Sequence, residues 1–309
     1  MSGKGEWAVV LAGGEGERLR EYIERKHGRA IPKQYCSFGG GMTMIDHTMA
    51  RLDGVVAADK TVAVIGRGHR RFLGGKQLRG RLIEQYANRG TFPGILLGLA
   101  HVLAVEPDAD VLILPSDHFM EPLKGARELF KEALETASRV QDKIILLGAV
   151  PDGPEPDYGW IEPGIALAGR AFSVRLFREK PSVEEAEGFF EEGYLWNTMI
   201  VAAKARTLWE IARLFLPGTV ARFDLLRVAI GKGHEEAIAP FVYGALETSD
   251  FSRALLERIP HRTIVLPMRG VRWSDWGRPA RIEASLRGRE SLLQHRPRTP
   301  LAAAAVVHG

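Results

Sequence analysis

The chain is poor in cysteine and in long apolar runs. Cys36 is the only cysteine among 309 residues, so no internal disulfide can form, as is typical of proteins in a reducing compartment. No stretch reaches the roughly 18–20 apolar residues of a membrane span. The first residues also lack the apolar core of a secretory signal. We therefore expect a cytoplasmic protein without a membrane segment.

The chain also lacks a strong concentration of charge of one sign. Its 42 lysines and arginines are spread among 38 acidic residues, and the formal net charge is +4. Nucleic-acid binding usually needs a dedicated basic stripe, so we do not expect a nucleic-acid partner. A hydrophobic content of 45% is ordinary for a globular protein with a sizeable core.

Strand-like and helix-like patterns alternate along the chain. Apolar runs predict strands at 7–12, 61–65, 111–114, 144–150, 174–177, 199–203 and 263–266. Helical periodicity predicts helices at 42–52, 125–140, 183–192, 204–215, 251–259 and 279–293. Most of the strand runs are continuously apolar, as in the buried strands of parallel or mixed sheets. The alternation predicts an α/β fold with a doubly wound, mostly parallel mixed sheet. The segment 151–163 is predicted to be a loop.

A glycine-rich turn follows the first predicted strand. The strand runs into Gly13, Gly14 and Gly16, with Arg18 and later Lys33 as nearby cations. Glycine has no Cβ, so backbone N–H groups can approach a polyanion and form a phosphate cradle. The spacing fits neither the dinucleotide fingerprint G-x-G-x-x-G nor the P-loop. The alternative is a tight strand–helix turn with a solvated arginine.

Two acids stand where ligand-binding residues are expected. Asp117 follows the predicted strand 111–114, and ligands of open α/β sheets bind at the carboxyl ends of strands. Asp275 lies between two tryptophans and precedes a glycine. Mg²⁺ in proteins is commonly held by one or two carboxylates plus substrate phosphates. The alternative for both acids is a role in a tight turn.

Two further motifs carry polar groups after apolar segments. Glu179 and Lys180 end the predicted strand 174–177, where they could bind sugar hydroxyls and a phosphate, or form a solvated ion pair. The loop with Arg89, Gly90 and Thr91 could contact a purine edge. Alternatively, Thr91 is the N-cap of the helix that follows.

The order of the motifs resembles that of the sugar-phosphate nucleotidyltransferases. The match covers roughly residues 6–280, and within the family it is most similar to the bacterial mannose-1-phosphate guanylyltransferases. The motifs are Gly-Gly-x-Gly-x-Arg-Leu, Pro-Lys-Gln, Asn-Arg-Gly-Thr-x-Pro, Pro-Ser-Asp-His, Gly-Trp-Ile-Glu, Glu-Lys-Pro, Trp-Asn-Thr and Trp-x-Asp-x-Gly.

The resemblance implies an enzyme that uses Mg²⁺ to transfer GMP from GTP to mannose 1-phosphate, releasing pyrophosphate. It implies one nucleotidyltransferase domain over 1–280, with a nucleotide half at 1–150 and a sugar-phosphate half at 151–280. A C-terminal helix and tail would occupy 281–309, without a β-helix, and a homodimer is the candidate assembly. The alternatives are another nucleoside triphosphate and hexose 1-phosphate pair, or a non-catalytic subunit that binds nucleotide sugars.

The resemblance also implies roles for individual residues. The catalytic group is Arg18, Lys33, Asp117 and Asp275, of which the two acids would hold Mg²⁺. The nucleotide-binding group is Leu11, Ala12, Gly13, Gly14, Gly16, Arg18, Arg89, Gly90, Thr91 and Asp117. The group that binds the sugar phosphate is Gly159, Glu179, Lys180 and Asn197.

Overall fold

The computed structural model describes residues 5–294, which are built around a nine-stranded mixed sheet. The strands are β1 (Glu6–Ala12), β2 (Thr61–Ile65), β3 (Arg81–Glu84), β4 (Asp110–Pro115), β5 (Phe119–Glu121), β6 (Ile144–Ala149), β7 (Gly159–Ala166), β8 (Phe172–Glu179), β9 (Leu195–Lys204), β10 (Thr263–Pro267) and β11 (Arg272–Ser274). The order in the large sheet is β3-β2-β1-β4-β9-β6-β10-β8-β7, and β5 pairs with β11 separately.

Ten helices accompany the strands in the described part of the chain. They are α1 (Arg20–His27), α2 (Met44–Arg51), α3 (Thr91–Val105), α4 (Leu123–Arg139), α5 (Val183–Glu191), α6 (Ala205–Phe215), α7 (Pro217–Ala229), α8 (Glu235–Gly244), α9 (Phe251–Ala254) and α10 (Pro279–Gln294). Among the residues that the structure describes, no helix is both long enough and apolar enough to cross a membrane.

Successive residues of the central strands face two separate cores. Val9 and Val111 pack in one core with α3, α6, α7 and α8. Val10 and Leu112 pack in the other with α2, α4 and α5. Both faces of the sheet are therefore covered, which explains why these strands are continuously apolar. The prediction of an α/β fold with a mixed sheet is confirmed.

All seven predicted strands are present, but four strands escaped the sequence patterns. β3 is a short edge strand with two charged ends, and β5 and β11 have only three residues each. The prediction of a loop over 151–163 was wrong at its end, because β7 begins at Gly159. β7 contains a glycine and a proline, and its pairing with β8 shifts register at Pro163, so its sequence does not resemble a regular strand.

The helix predictions were incomplete in a similar way. α1, α7 and α8 escaped prediction. The predicted helix 251–259 was too long, because α9 ends at Ala254 and a 3₁₀ turn at Leu256–Arg258 follows. Ser182 caps α5, accepting a hydrogen bond from the Glu185 N–H at 3.2 Å.

The sheet brings the predicted motifs to one edge. β1 and β4 are parallel neighbours, and Leu11 pairs with Pro115 just before the glycine turn and Asp117. β9 is antiparallel to both β4 and β6, so its beginning, near Asn197, lies at the same edge. This edge contains the carboxyl ends of the parallel strands, where open α/β sheets bind ligands.

Candidate active site

The glycine turn after β1 is shaped by a buried glutamine. Gln34 donates its amide hydrogens to the carbonyl oxygens of Ala12 at 2.9 Å and Gly14 at 2.8 Å. Gly16 has φ +68°, which favours glycine, and it precedes the 3₁₀ turn Glu17–Leu19. Sequence reasoning gave Gln34 no role, although it belongs to the Pro-Lys-Gln motif. These contacts hold the turn open towards the cleft.

A cavity of about 350 Å³ lies beside this turn. It is lined by most residues of the predicted nucleotide-binding group: Leu11, Ala12, Gly13, Gly14, Gly16, Gly90, Thr91 and Asp117. Gln85, which the sequence analysis missed, also lines the cavity and is only 3% exposed. A Cβ on Gly13 would lie 2.3 Å from Gln85 Nε2, so a larger residue there would force the Gln85 side chain to move. Arg89 is not among the lining residues.

Lys33 connects the two predicted metal-binding acids. Its Nζ lies 2.8 Å from Asp117 Oδ2 and donates a hydrogen bond of 2.5 Å to the backbone oxygen of Asp275. Burial opposes ionisation of Asp117, but nearby Lys33 and His118 together outweigh it and lower the pKa of that carboxyl. Asp117 is therefore ionised in the cleft, next to Lys33.

The Asp275 carboxylate is held by several donors. Its Oδ1 accepts hydrogen bonds from Tyr158 Oη at 2.7 Å, Gly277 N at 2.8 Å and Arg281 Nη1 at 2.7 Å. Burial would raise the pKa of Asp275, but Lys33, Tyr158 and Arg281 together lower it to about 2. Asp275 is therefore ionised over the whole physiological range.

The two acids suit Mg²⁺ as ligands. Both are ionised, and carboxylate oxygens are the donors that this ion prefers. Among the side chains that the structure describes, no group of three or more His, Cys, Asp or Glu could hold a metal. A metal ion here would therefore depend on these two carboxylates together with oxygens of a substrate phosphate.

Arg18 stands at the mouth of the cleft. Its side chain is 64% exposed, and Nη2 lies 3.5 Å from Asp275 Oδ2. A second opening of about 400 Å³ is lined by Arg18, Lys33 and Asp117, among others. The structure thus brings the four residues of the predicted catalytic group together, with Arg18, Lys33 and Asp117 lining this opening and Asp275 in contact with Arg18 and Lys33.

Three of the four residues predicted to bind the sugar phosphate meet where β7, β8 and β9 come together. Gly159 pairs with Glu179 across β7 and β8. A Cβ on Gly159 would lie 2.5 Å from Glu179 Oε2 and 3.1 Å from Asn197 Cβ, so a larger residue there would force the Glu179 carboxyl to move. Lys180 follows Glu179 directly, is exposed, and has φ +49°.

Glu179 and Asn197 differ in whether their polar side-chain atoms form hydrogen bonds. Glu179 Oε2 is buried and has no hydrogen-bond partner within the described residues. Burial, reinforced by nearby Asp250, raises the pKa of Glu179 to about 7. Asn197 donates to Ser252 Oγ at 3.2 Å and accepts from Met199 N at 3.1 Å. The unpaired carboxyl oxygen of Glu179 is therefore the available polar group at this position.

The loop before α3 is fastened to a distant segment. Gly90 is the N-cap of α3, so the alternative that Thr91 caps this helix was wrong. The Thr91 hydroxyl instead accepts a hydrogen bond from Phe251 N at 2.9 Å and donates one to Asp250 Oδ2 at 3.3 Å. A Cβ on Gly90 would lie 2.3 Å from the backbone oxygen of Ser249. This contact fixes the loop at the cavity wall.

The chain is similar to proteins of one known family. The family model described as Nucleotidyl transferase matches residues 7–284. The chain belongs to the nucleotidyl transferase family. Mannose-1-phosphate guanylyltransferase ManC of Salmonella typhimurium is 31% identical over 88% of this chain and 57% of its own length. Mannose-1-phosphate guanylyltransferase of Escherichia coli K12 is 30% identical over 88% and 58%, respectively. The chain thus spans somewhat over half the length of these relatives.

Two solved structures share the fold. A Thermus thermophilus protein described as a mannose-1-phosphate geranyltransferase is 30% identical, with a TM-score of 0.76 over 88% of this chain and 76% of that one. A Helicobacter pylori mannose-6-phosphate isomerase is 17% identical, with a TM-score of 0.69 over 87% of this chain and 99% of that one. The second likeness concerns the fold alone.

Proposed function

We propose that the chain is a mannose-1-phosphate guanylyltransferase that uses Mg²⁺ and forms GDP-mannose and pyrophosphate from GTP and mannose 1-phosphate. The observation that carries the proposal is a cleft lined by the glycine turn, Lys33 and the ionised Asp117, with the ionised Asp275 in contact with Lys33 and Arg18. The names of the relatives that are about 30% identical support the choice of substrates.

The reaction needs positioning and charge neutralisation more than covalent chemistry by the protein. A phosphate oxygen of mannose 1-phosphate attacks the α-phosphorus of GTP and forms a new P–O bond. The bond from the α-phosphorus to the bridging oxygen breaks, and pyrophosphate leaves with that electron pair. Asp117 and Asp275 would hold Mg²⁺, which neutralises phosphate charge when bound.

On this proposal, the other residues divide between the two substrates. The amides of the glycine turn hold the triphosphate, Arg18 binds the departing pyrophosphate, and Lys33 neutralises charge on the α-phosphate. Leu11, Ala12, Gly90 and Thr91 face the nucleotide in the cavity, with Arg89 nearby. Glu179 and Asn197 bind sugar hydroxyls, Gly159 lets the sugar approach, and Lys180 binds its phosphate.

The broader organisation stays a prediction. The nucleotide half at 1–150 and the sugar-phosphate half at 151–280 form one proposed domain. A homodimer, a cytoplasmic location and the absence of a β-helix also remain predicted. The tail from residue 295 onward lies outside the described residues.

The test is pyrophosphate release with Mg²⁺, measured over a grid of five nucleoside triphosphates and several hexose 1-phosphates. We expect turnover with GTP and mannose 1-phosphate well above every other pair. Turnover with a different pair would support the proposed nucleotidyl transfer but show that the substrates are not GTP and mannose 1-phosphate. A grid without turnover, combined with calorimetric binding of GDP-mannose, would favour the non-catalytic alternative.

A further inference from the structure

The first turns of α10 contact the Asp275 turn, although residues from 281 onward were assigned to a segment outside the catalytic domain. Ser285 Oγ accepts a hydrogen bond of 2.9 Å from Trp276 Nε1. Arg281 Nη1 donates its bond of 2.7 Å to Asp275 Oδ1. Ile282 is fully buried in a cluster with Trp276. This part of α10 is therefore packed against the candidate active site.

The two carboxylate oxygens of Asp275 differ in how many hydrogen bonds they accept. Oδ1 receives three hydrogen bonds, from Tyr158, Gly277 and Arg281. Among the described residues, the one ion pair that Oδ2 forms is with the exposed Arg18, whose Nη2 lies 3.5 Å away. Oδ1 is thus occupied by the protein, whereas Oδ2 accepts no hydrogen bond from the residues that the structure describes and lies beside the exposed Arg18.

Arg281 is itself fixed from two further sides. It forms an ion pair with Glu155, and its guanidinium lies 4.4 Å from the centre of the Tyr158 ring. The side chains of Arg281 and Asp275 are only 16% and 12% exposed. Bidentate and stacked arginines hold a carboxylate in a defined orientation better than a mobile lysine does. Arg281 is therefore built to hold a carboxylate rather than to reach into solvent.

We propose that Arg281 is a positioning residue that, together with Tyr158, orients Asp275 so that only Oδ2 is presented to the metal and triphosphate. The inference rests on the proposed function, because it takes Asp275 as a metal ligand. Mg²⁺ demands near-ideal octahedral geometry, and partners behind a ligand commonly set its orientation. Arg281 contacts no substrate on this account and acts only through Asp275.

The kinetic test is a double-mutant cycle with Arg281→Gln and Asp275→Asn. Alone, Arg281→Gln should lower kcat at least tenfold, and Arg281→Lys should lower it less because the charge remains. In the Asp275→Asn background, Arg281→Gln should change kcat less than twofold, since its target is already altered. Arg278→Gln is the control, because Arg278 precedes Arg281 and pairs with Asp157 and Glu155 rather than with Asp275.

A binding measurement adds a readout that does not need turnover. Calorimetry gives the gain in GTP affinity when Mg²⁺ replaces EDTA, and thermal unfolding in EDTA confirms that each variant is folded. Arg281→Gln should reduce that gain at least threefold in the native background but not with Asp275→Asn. Equal losses in both backgrounds, with native-like unfolding, would overturn the positioning role while leaving the proposed function intact. A native protein without GTP binding or turnover would remove both proposals.

Discussion

Asp117 provides the most direct test at the scale of single residues. Asp117→Asn keeps the shape of the side chain but removes the negative charge that, on our proposal, binds Mg²⁺. We expect turnover to fall by at least about 100-fold, because charge stabilisation in phosphoryl transfer is a large part of catalysis. The measurement is steady-state pyrophosphate release at saturating Mg²⁺.

The control for this change is Asp142→Asn, an exposed aspartate just before β6 and thus at the opposite edge of the sheet. It should leave turnover unchanged. Near-native turnover in Asp117→Asn at every Mg²⁺ concentration would remove Asp117 from the mechanism.

Gly159 tests the proposed sugar site. In Gly159→Ala the new methyl group would lie 2.5 Å from Glu179 Oε2, so the carboxyl must move. We expect KM for mannose 1-phosphate to rise at least tenfold, with KM for GTP changing less than twofold. Gly153→Ala is a matched control, since no atom lies within 4 Å of a Cβ there. Equal increases in both KM values would show that Gly159 does not serve the sugar alone.

Glu179 makes stability depend on pH. Burial raises its pKa from 4.5 to about 7, so the folded state binds more protons than the unfolded state between these values. The contribution of Glu179 to the stability of the folded state is complete below pH 4.5 and is lost as pH rises through 7. It amounts to at most about 3 kcal/mol.

Glu179→Gln removes this titration. The free energy of unfolding of the variant, measured in urea from pH 4.5 to 8, should therefore increase relative to that of the native protein as pH rises. A difference that does not vary with pH would indicate that Glu179 ionises normally in the folded protein.

At the scale of elements, local signals are strongest where a cap and an amphipathic pattern coincide. α5 begins with a capping box, in which Ser182 accepts from Glu185 N and the Glu185 carboxylate accepts from Ser182 N at 2.8 Å. Ser182→Ala should lower the free energy of unfolding by about 1 kcal/mol. The check is urea unfolding, with Ser138→Ala inside α4 as a control that should be neutral.

The elements that escaped prediction lack such local signals. β7 becomes a strand because β8 and β9 pair with it, despite its glycine and proline. β3 is a half-exposed edge strand that β2 alone supports. In both cases pairing with neighbouring strands outweighs the weak intrinsic preference of the residues for a β-strand. Likewise, no local pattern indicated that Arg281 at the start of α10 would reach Asp275.

At the scale of the whole molecule, the sheet interleaves the two predicted halves. β9 belongs to the sugar-phosphate half but lies between β4 and β6 of the nucleotide half. If one half unfolded alone, the strands of the other half that pair with it would lose their neighbours and become exposed to water. We therefore expect a single cooperative unfolding transition.

Far-UV circular dichroism and tryptophan fluorescence should report the same urea midpoint. Trp7 lies in the first half and Trp160 in the second, so the fluorescence samples both. Two separated midpoints would mean that the halves are independent domains.

The sequence by itself determined the α/β class, the central buried strands and the motifs that stand at strand ends. These depend on local composition, on glycine at the turn after β1, and on acids such as Asp117 that follow apolar runs. Tertiary structure alone decided which distant groups meet: Lys33 with Asp117 and Asp275, and Arg281 with Asp275. Such contacts arise from strand order and helix docking, which bring together residues up to 242 positions apart.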